Sequence, residues 1–380
     1  MSDTSALDAV LAAAAAARAS DVHLTAGRPA LMRVDGDLAP IPGYADPLSA
    51  EWVERAVLSI MSAAQAEDFA THGEVDLSYA SANLGRFRVN VFRQVGAVAV
   101  ALRFISTTVS TLEKLGAPAI ARDLALKPRG LVLVTGPTGS GKSTTLTAMV
   151  DIINSTLPAH VITIEDPIEF QHTSRTALIH QREIGSDTAS FSEALRRVLR
   201  QDPDVILIGE LRDAVSVSTA LSAAETGHLV LSTLHTQSAA KSINRIVDVF
   251  PAHQQDQVRT QLGDTLQGII SQSLLPLAQS EGRTIATEVL VNTPAVANMI
   301  RENQIAQIYS AMQAGAALGM HTFDQDLKRL VENGTISEKI ARTYAVDERT
   351  LDGIRVRPRD LDAEAWMTHA GERQLSGWGN

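Results

Sequence analysis

The chain has no cysteine in 380 residues, which excludes disulfides and thiolate-held metals and fits the cytoplasm without requiring it. No apolar run approaches the ~18 residues that a membrane-spanning helix needs. No basic flank precedes the alanine-rich stretch at 11–17, so no signal peptide is expected. Positive charge is in deficit: the formal net charge is −10 and the isoelectric point about 5.5. Aromatic residues are sparse, and no exposed stretch that interleaves them with basic ones is expected. Together these weigh against a nucleic-acid surface, although a local basic patch stays open. What is present, 45% hydrophobic and 20% charged residues, is ordinary for a globular protein, and the length calls for two domains.

The first part reads as α+β. An alanine-rich helix at 5–19 precedes Ser20-Asp21-Val22-His23-Leu24, then turn signals at Gly27 and Pro29 and a strand-like run at 30–34. A helix near 50–66 follows, then strands at 76–79, 86–93 and 95–105, which suggest a largely antiparallel sheet. From about Pro118 near-continuous apolar runs (131–134, 161–164, 205–208, 229–231 and 286–291) alternate with helical stretches, the pattern of a mostly parallel sheet covered on both faces. Past Pro294 the chain is helical, with Asn333-Gly334 as a turn. The expected division is an N-terminal domain at 1–108, a linker at 109–117, a second domain at 118–353 and an unpatterned, candidate disordered tail at 354–380.

The octet Gly136-Pro137-Thr138-Gly139-Ser140-Gly141-Lys142-Ser143, followed by Thr144, directly succeeds the apolar run at 131–134. This is a phosphate-binding loop, GxxxxGK[ST], between strand and helix. Its glycines let the backbone curl so that N–H groups point at a phosphate. Lys142 then meets the β- and γ-phosphates, and Ser143 lends its hydroxyl to Mg2+. A bare glycine-rich turn is the alternative; the strand before it and the helical apolar positions Leu146, Met149, Val150 and Ile153 after it decide against that.

Hydrolysis needs more. The run at 205–208 ends in Gly209-Glu210, without the usual Asp, between Asp202-Pro203-Asp204 and Leu211-Arg212-Asp213. The run at 161–164 enters Glu165-Asp166-Pro167-Ile168-Glu169, whose carboxylates could orient or deprotonate a water. The alternatives are an ordinary buried strand that happens to end in an acid for the first cluster and a solvated strand end for the second. His228 and His235 bracket one buried strand, where a histidine serves as often for core hydrogen bonding as for chemistry. Arg86, Arg88, Arg93 and Arg103 crowd adjacent strands and read locally as a solvated sheet face, although arginine's fork suits phosphate.

Taken in order, GPTGSGKSTT, ITIEDPIEF, RQDPDVILIGELRD and AAETGHLVLSTLHT resemble the secretion ATPase superfamily, the hexameric motors of type II secretion and type IV pili. The match runs from about Ser20 to Tyr344, and Gly209 in place of Asp is itself a mark of the superfamily. The resemblance implies an N-terminal PAS-like α+β domain followed by a RecA-like P-loop ATPase domain with C-terminal helices. It implies Glu165 as general base, Glu210 holding Mg2+ through water, and His228 and His235 in a His box near the nucleotide. By the same analogy Arg88 and Arg103 reach the triphosphate of ATP, while Arg86 and Arg93 stay a solvated face.

Within the superfamily the chain looks most like the PilT pilus-retraction family. It lacks the four-cysteine zinc module of many assembly ATPases, and Ala297-Asn298-Met299-Ile300-Arg301-Glu302 resembles the family's AIRNLIRE signature, with alanine at the first arginine position. PilU-like accessory retraction ATPases stand close by. The resemblance implies a homohexamer in the cytoplasm, peripherally bound at the inner membrane through a pilus platform protein, a second retraction ATPase as a further partner, and no nucleic acid. Three readings remain open: a motor for pilus assembly or type II secretion, a DNA-translocating P-loop ATPase, and a nucleotide switch without turnover.

Overall fold

The computed structural model describes residues 3–34, 36–105, 108–279 and 282–354. The tail read at 354–380 lies, beyond Ile354, outside them. The chain divides into two compact units, one of Met1–Val109 with Ile153–Gly209, the other of Ser110–Ile152 with Glu210–Asn380. The stretch read as a linker holds a short helix, Leu112–Leu115, capped by the Thr111 hydroxyl and ended by Gly116.

The N-terminal sheet has six strands: β1 (Asp21–Thr25), β2 (Leu31–Val34), β3 (Asp37–Pro40), β4 (Glu74–Ser81), β5 (Gly85–Gln94) and β6 (Ala97–Phe104). Their order is β3-β2-β1-β6-β5-β4, and every pairing is antiparallel, as expected. Alternation does the sorting. Along β4 Val75, Leu77 and Tyr79 are buried while Glu74, Asp76 and Ala80 are exposed. Helices Asp3–Ala16 and Ala50–Leu58 bring Leu7, Val10, Leu11, Val53 and Val57 to the same core.

Two of the boundaries that differ from the sequence reading have a clear local cause. The helix read at 50–66 is two, Ala50–Leu58 and Ala63–His72, because Ser62 and Gln65 close a capping box that starts a new helix. The strand read at 95–105 begins only at Ala97, because Val95 and Gly96 form a two-residue hairpin turn with φ of 49° and 79°. Two positive φ values suit the twist of the strands but burden a β-branched residue. Val95 is 99% exposed, so its side chain offers no packing in return. Val95→Asn is therefore expected to stabilise the protein by about 1 kcal/mol, read as a higher urea midpoint; an unchanged or lower midpoint would contradict the strain.

The second sheet has seven strands: β7 (Gly130–Thr135), β8 (His160–Glu165), β9 (Leu178–Glu183), β10 (Val205–Ile208), β11 (Leu229–Leu234), β12 (Leu266–Pro276) and β13 (Arg283–Val291), in the order β13-β12-β7-β11-β10-β8-β9. Strand β7 runs parallel to β11 and β12, and β8 parallel to β9 and β10, while β13 is antiparallel to β12. β7, β10 and β11 are buried at every position, which is why each carries the apolar run seen at 131–134, 205–208 or 229–231. Beyond β13 come helices Pro294–Arg301, Ile308–Ala314, Phe323–Glu332 and Glu338–Tyr344. Leu327, Leu330 and Val331 of the third pack with Leu275 and Ala286.

Candidate nucleotide site

In the second unit β7 runs straight into the glycine-rich octet. Gly136 has φ of 144°, and a Cβ there would lie 2.2 Å from the Gln272 carbonyl oxygen, so no other residue fits. Helix Lys142–Thr156 opens at the lysine, as expected, and buries Leu146, Met149, Val150 and Ile153. Lys142 is 9% exposed, and its ammonium donates to the carbonyls of Gly136 at 2.9 Å and Pro137 at 3.0 Å. Those two bonds hold it within the loop. The Ser140 hydroxyl is buried without a hydrogen-bond partner among the described residues, a cost that an anionic ligand would remove. The curled backbone, the ammonium and this hydroxyl fit a polyphosphate. Ser143 and Glu210 offer the oxygen donors that Mg2+ prefers.

The end of β10 brings Glu210 into the same unit. One carboxylate oxygen accepts from Arg212 Nε at 2.7 Å, and the other stands 3.2 Å from His235 Nε2. His235 follows β11, and its Nδ1 lies 3.5 Å from the Thr138 hydroxyl of the loop. A chain of polar contacts thus runs from the phosphate loop through His235 to Glu210 and Arg212. Beside it opens a cavity of about 320 Å3, lined also by Thr236 and Arg245. Arg245 escaped the sequence reading, since nothing near it in sequence marks it.

His228 corrects an expectation. Strands β7 and β11 run in register from Leu229 opposite Gly130 to Leu234 opposite Thr135. His235 therefore leaves the end from which the phosphate loop emerges, and His228 the other, roughly 20 Å away along the strand. The His228 ring instead meets the Ala223 carbonyl at 3.0 Å and Thr226 at 3.2 Å, at the end of helix Ala214–Glu225. Within the chain it is a hydrogen-bonded helix-end residue.

Glu165 belongs to the first unit, at the C-terminal end of β8, the end where ligands bind in open parallel sheets. One of its oxygens accepts from Thr163 Oγ1 at 2.6 Å and Gln181 Nε2 at 3.2 Å. Gln181 is itself fixed, donating to the Phe170 carbonyl at 2.7 Å and accepting from His172 N at 2.8 Å. Burial pushes the Glu165 carboxyl above the ordinary glutamate range. The bonds from Thr163 and Gln181 oppose the rise, and the charges of Glu169 and Glu183 add to it. A carboxylate moved toward neutrality is a better proton acceptor at physiological pH.

Glu183, on β9, was not singled out from sequence, because a run with so few apolar residues does not read as a strand. It is 4% exposed and accepts from the hydroxyls of Ser78 and Ser186, from Ile168 N and from Arg86 Nη2 at 3.2 Å. Arg86 is therefore an ion-pair partner, against the expectation of a solvated face. Arg93 stacks its guanidinium 5.1 Å above the Phe69 ring. Arg88 and Arg103 face each other across β5 and β6, in one row with Ser78 and Asp21. Two like charges so placed cost stability unless an anion answers them. Asp21 answers Arg103 at 2.7 Å. Burial would raise the Asp21 carboxyl, but bonds from Arg103 and Ser20, with the Arg103 charge, hold it below its usual range. Arg88 lines a hollow of about 340 Å3 with Ser78, Asp166 and Ser186.

The parallel sheet, the glycine-curled loop with its lysine and the acid at the end of β10 define a P-loop nucleoside triphosphatase. A family model described as Type II/IV secretion system protein matches residues 4–355. The chain is 50% identical over 336 residues to the Type IV pilus retractation ATPase PilT of Pseudomonas aeruginosa, covering 88% of this chain and 97% of that protein. It is 48% identical over 340 residues to the Twitching motility protein of Neisseria gonorrhoeae, with 88% and 90% covered. The crystal structure of the pilus retraction motor PilT with bound ADP superposes with a TM-score of 0.83 at 45% identity, over 90% of this chain and 97% of that one. The chain belongs to the Type II/IV secretion system protein family. No helix among the described residues is long and apolar enough to cross a membrane.

Proposed function

We infer that the chain is an ATPase whose turnover drives type IV pilus retraction, and hence twitching motility. The observation that carries the chemistry is the glycine-curled loop holding the Lys142 ammonium on its own carbonyls. The near-full-length similarity to retraction and twitching proteins supports the task.

ATP is the substrate. Backbone N–H groups of the loop 136–144 and Lys142 hold its phosphates; Ser143 and, through water, Glu210 would hold Mg2+, which neutralises charge on the β- and γ-phosphates when bound. Glu165 takes the proton of the attacking water. Arg88 and Arg103 sense the γ-phosphate and let go after hydrolysis, which allows a domain to move and do work. His235 ties the loop to Glu210. In this reading the division at 109–117 separates a domain that moves from one that hydrolyses. Six copies form the working ring, in the cytoplasm against the inner face of the membrane. An inner-membrane pilus platform protein is the load, and a second retraction ATPase works beside the ring.

Purified protein is expected to release phosphate steadily from Mg-ATP and to show a hexamer mass by light scattering. Turnover that requires added duplex DNA would contradict the pilus reading and favour a translocase.

A further inference from the structure

We propose that Gln272, on β12, positions the phosphate loop for nucleotide by fixing the orientation of the Ser140–Gly141 peptide. β12 runs parallel to β7 in a register that sets Ser271 opposite Thr135, so Gln272 comes level with Gly136 where the loop begins. It is 2% exposed, and each polar end of its amide has one use. Nε2 donates to the Ser140 carbonyl at 2.7 Å, and Oε1 accepts from the Thr145 hydroxyl at 3.0 Å. One side chain thereby joins the middle of the octet to the first turn of helix Lys142–Thr156. Its backbone oxygen sets the closest approach to Gly136 as well.

A peptide group is planar and trans, so its C=O and N–H point in opposite directions. Holding the Ser140 oxygen toward β12 aims the Gly141 N–H away from β12. Gly141 has φ of 86° and Gly139 of 77°, so this loop could otherwise turn its peptides at little cost. Gln272 removes that freedom before the ligand arrives, which lowers the ordering cost of binding. Few other side chains could do so. Leucine or methionine makes neither bond, and an ionised glutamate sets an oxygen against the Ser140 oxygen.

The proposal rests on the loop being the nucleotide site. That reading is tested separately by whether the wild-type chain binds a fluorescent N-methylanthraniloyl-ADP and Lys142→Ala weakens it. The experiment on Gln272 is the Kd for this probe at pH 8.5 and pH 6, using the full chain. Gln272→Glu is expected to bind at least about tenfold more weakly than wild type at pH 8.5, from one buried bond lost and two acceptors opposed. Burial at this 2% exposed position raises the introduced carboxyl, so lowering the pH to 6 is expected to protonate it, let it donate to Ser140 again and return binding to within about threefold of wild type. Gln272→Met should be weak at both pH values. A role in packing alone would give no such pH-dependent recovery. Wild-type affinity of either variant at pH 8.5, or weak binding by Gln272→Glu at both, would overturn the proposal. Should Gln272→Glu not fold, Thr145→Val decides: weaker probe binding supports the positioning role, and an unchanged Kd overturns it.

Discussion

Lys142→Ala is expected to lower phosphate release from Mg-ATP by at least about 10²-fold, the cost of losing one preorganised charge at a transferring phosphoryl group. Two losses combine. The ammonium that meets the β- and γ-phosphates is gone, so charge developing at the leaving oxygen is unanswered. The carbonyls of Gly136 and Pro137, which that ammonium bridges, also lose their donor, and the loop loses a clasp. Lys142→Arg should not rescue, since a bulkier planar fork cannot replace the compact ammonium of a residue that is 9% exposed. Turnover within tenfold of wild type in Lys142→Ala would remove the loop from the chemistry.

Glu165→Gln should separate binding from chemistry. The amide keeps the shape of the side chain but cannot accept a proton, so kcat should fall by about 10²–10⁴. The Kd for ATP should stay within about threefold of wild type, because Glu165 supports the step and not the grip. The pH profile sharpens the test. Burial raises the Glu165 carboxyl above the ordinary range, and only the ionised form acts as a base. Wild-type kcat is therefore lost as pH falls through that raised value, at a higher pH than an exposed glutamate would give. Glu165→Gln should show no such limb. Thr163→Val removes the 2.6 Å donor that favours the carboxylate, so its limb should move to higher pH. A profile that Glu165→Gln and Thr163→Val leave unmoved would assign the base to another residue.

The sequence discloses the parts of this protein that local chemistry alone determines. The octet at 136–143 needs a curled backbone whatever surrounds it, and β7, β10 and β11, buried throughout, are written mainly in apolar residues, with Thr135, Ser232 and Thr233 as their only polar members. Glu165 and Glu210 stand out because each ends such a strand. β9 and β12 are different. Both mix polar with apolar residues because their polar side chains are put to use: Gln181 and Glu183 on one, Ser271 and Gln272 on the other. Those uses depend on partners 15 to 136 residues away in sequence, which no local pattern reveals.

The same holds for charge. Arg86 looks no different from Arg88 in the sequence, yet one pairs with buried Glu183 and the other lines an open hollow. His228 and His235 share a motif, but a six-residue strand carries them to opposite ends. The break after Leu58 was legible, since Ser62 and Gln65 are spaced as a capping box.

The central claim is that ATP turnover on this loop pulls pili in. It is tested most directly by deleting the gene in its host, complementing with wild type or Lys142→Ala, and counting surface pili. The account predicts excess pili and lost twitching in the deletion, restored by wild type and not by Lys142→Ala. Bald cells would contradict it, because they would mean that the motor pushes.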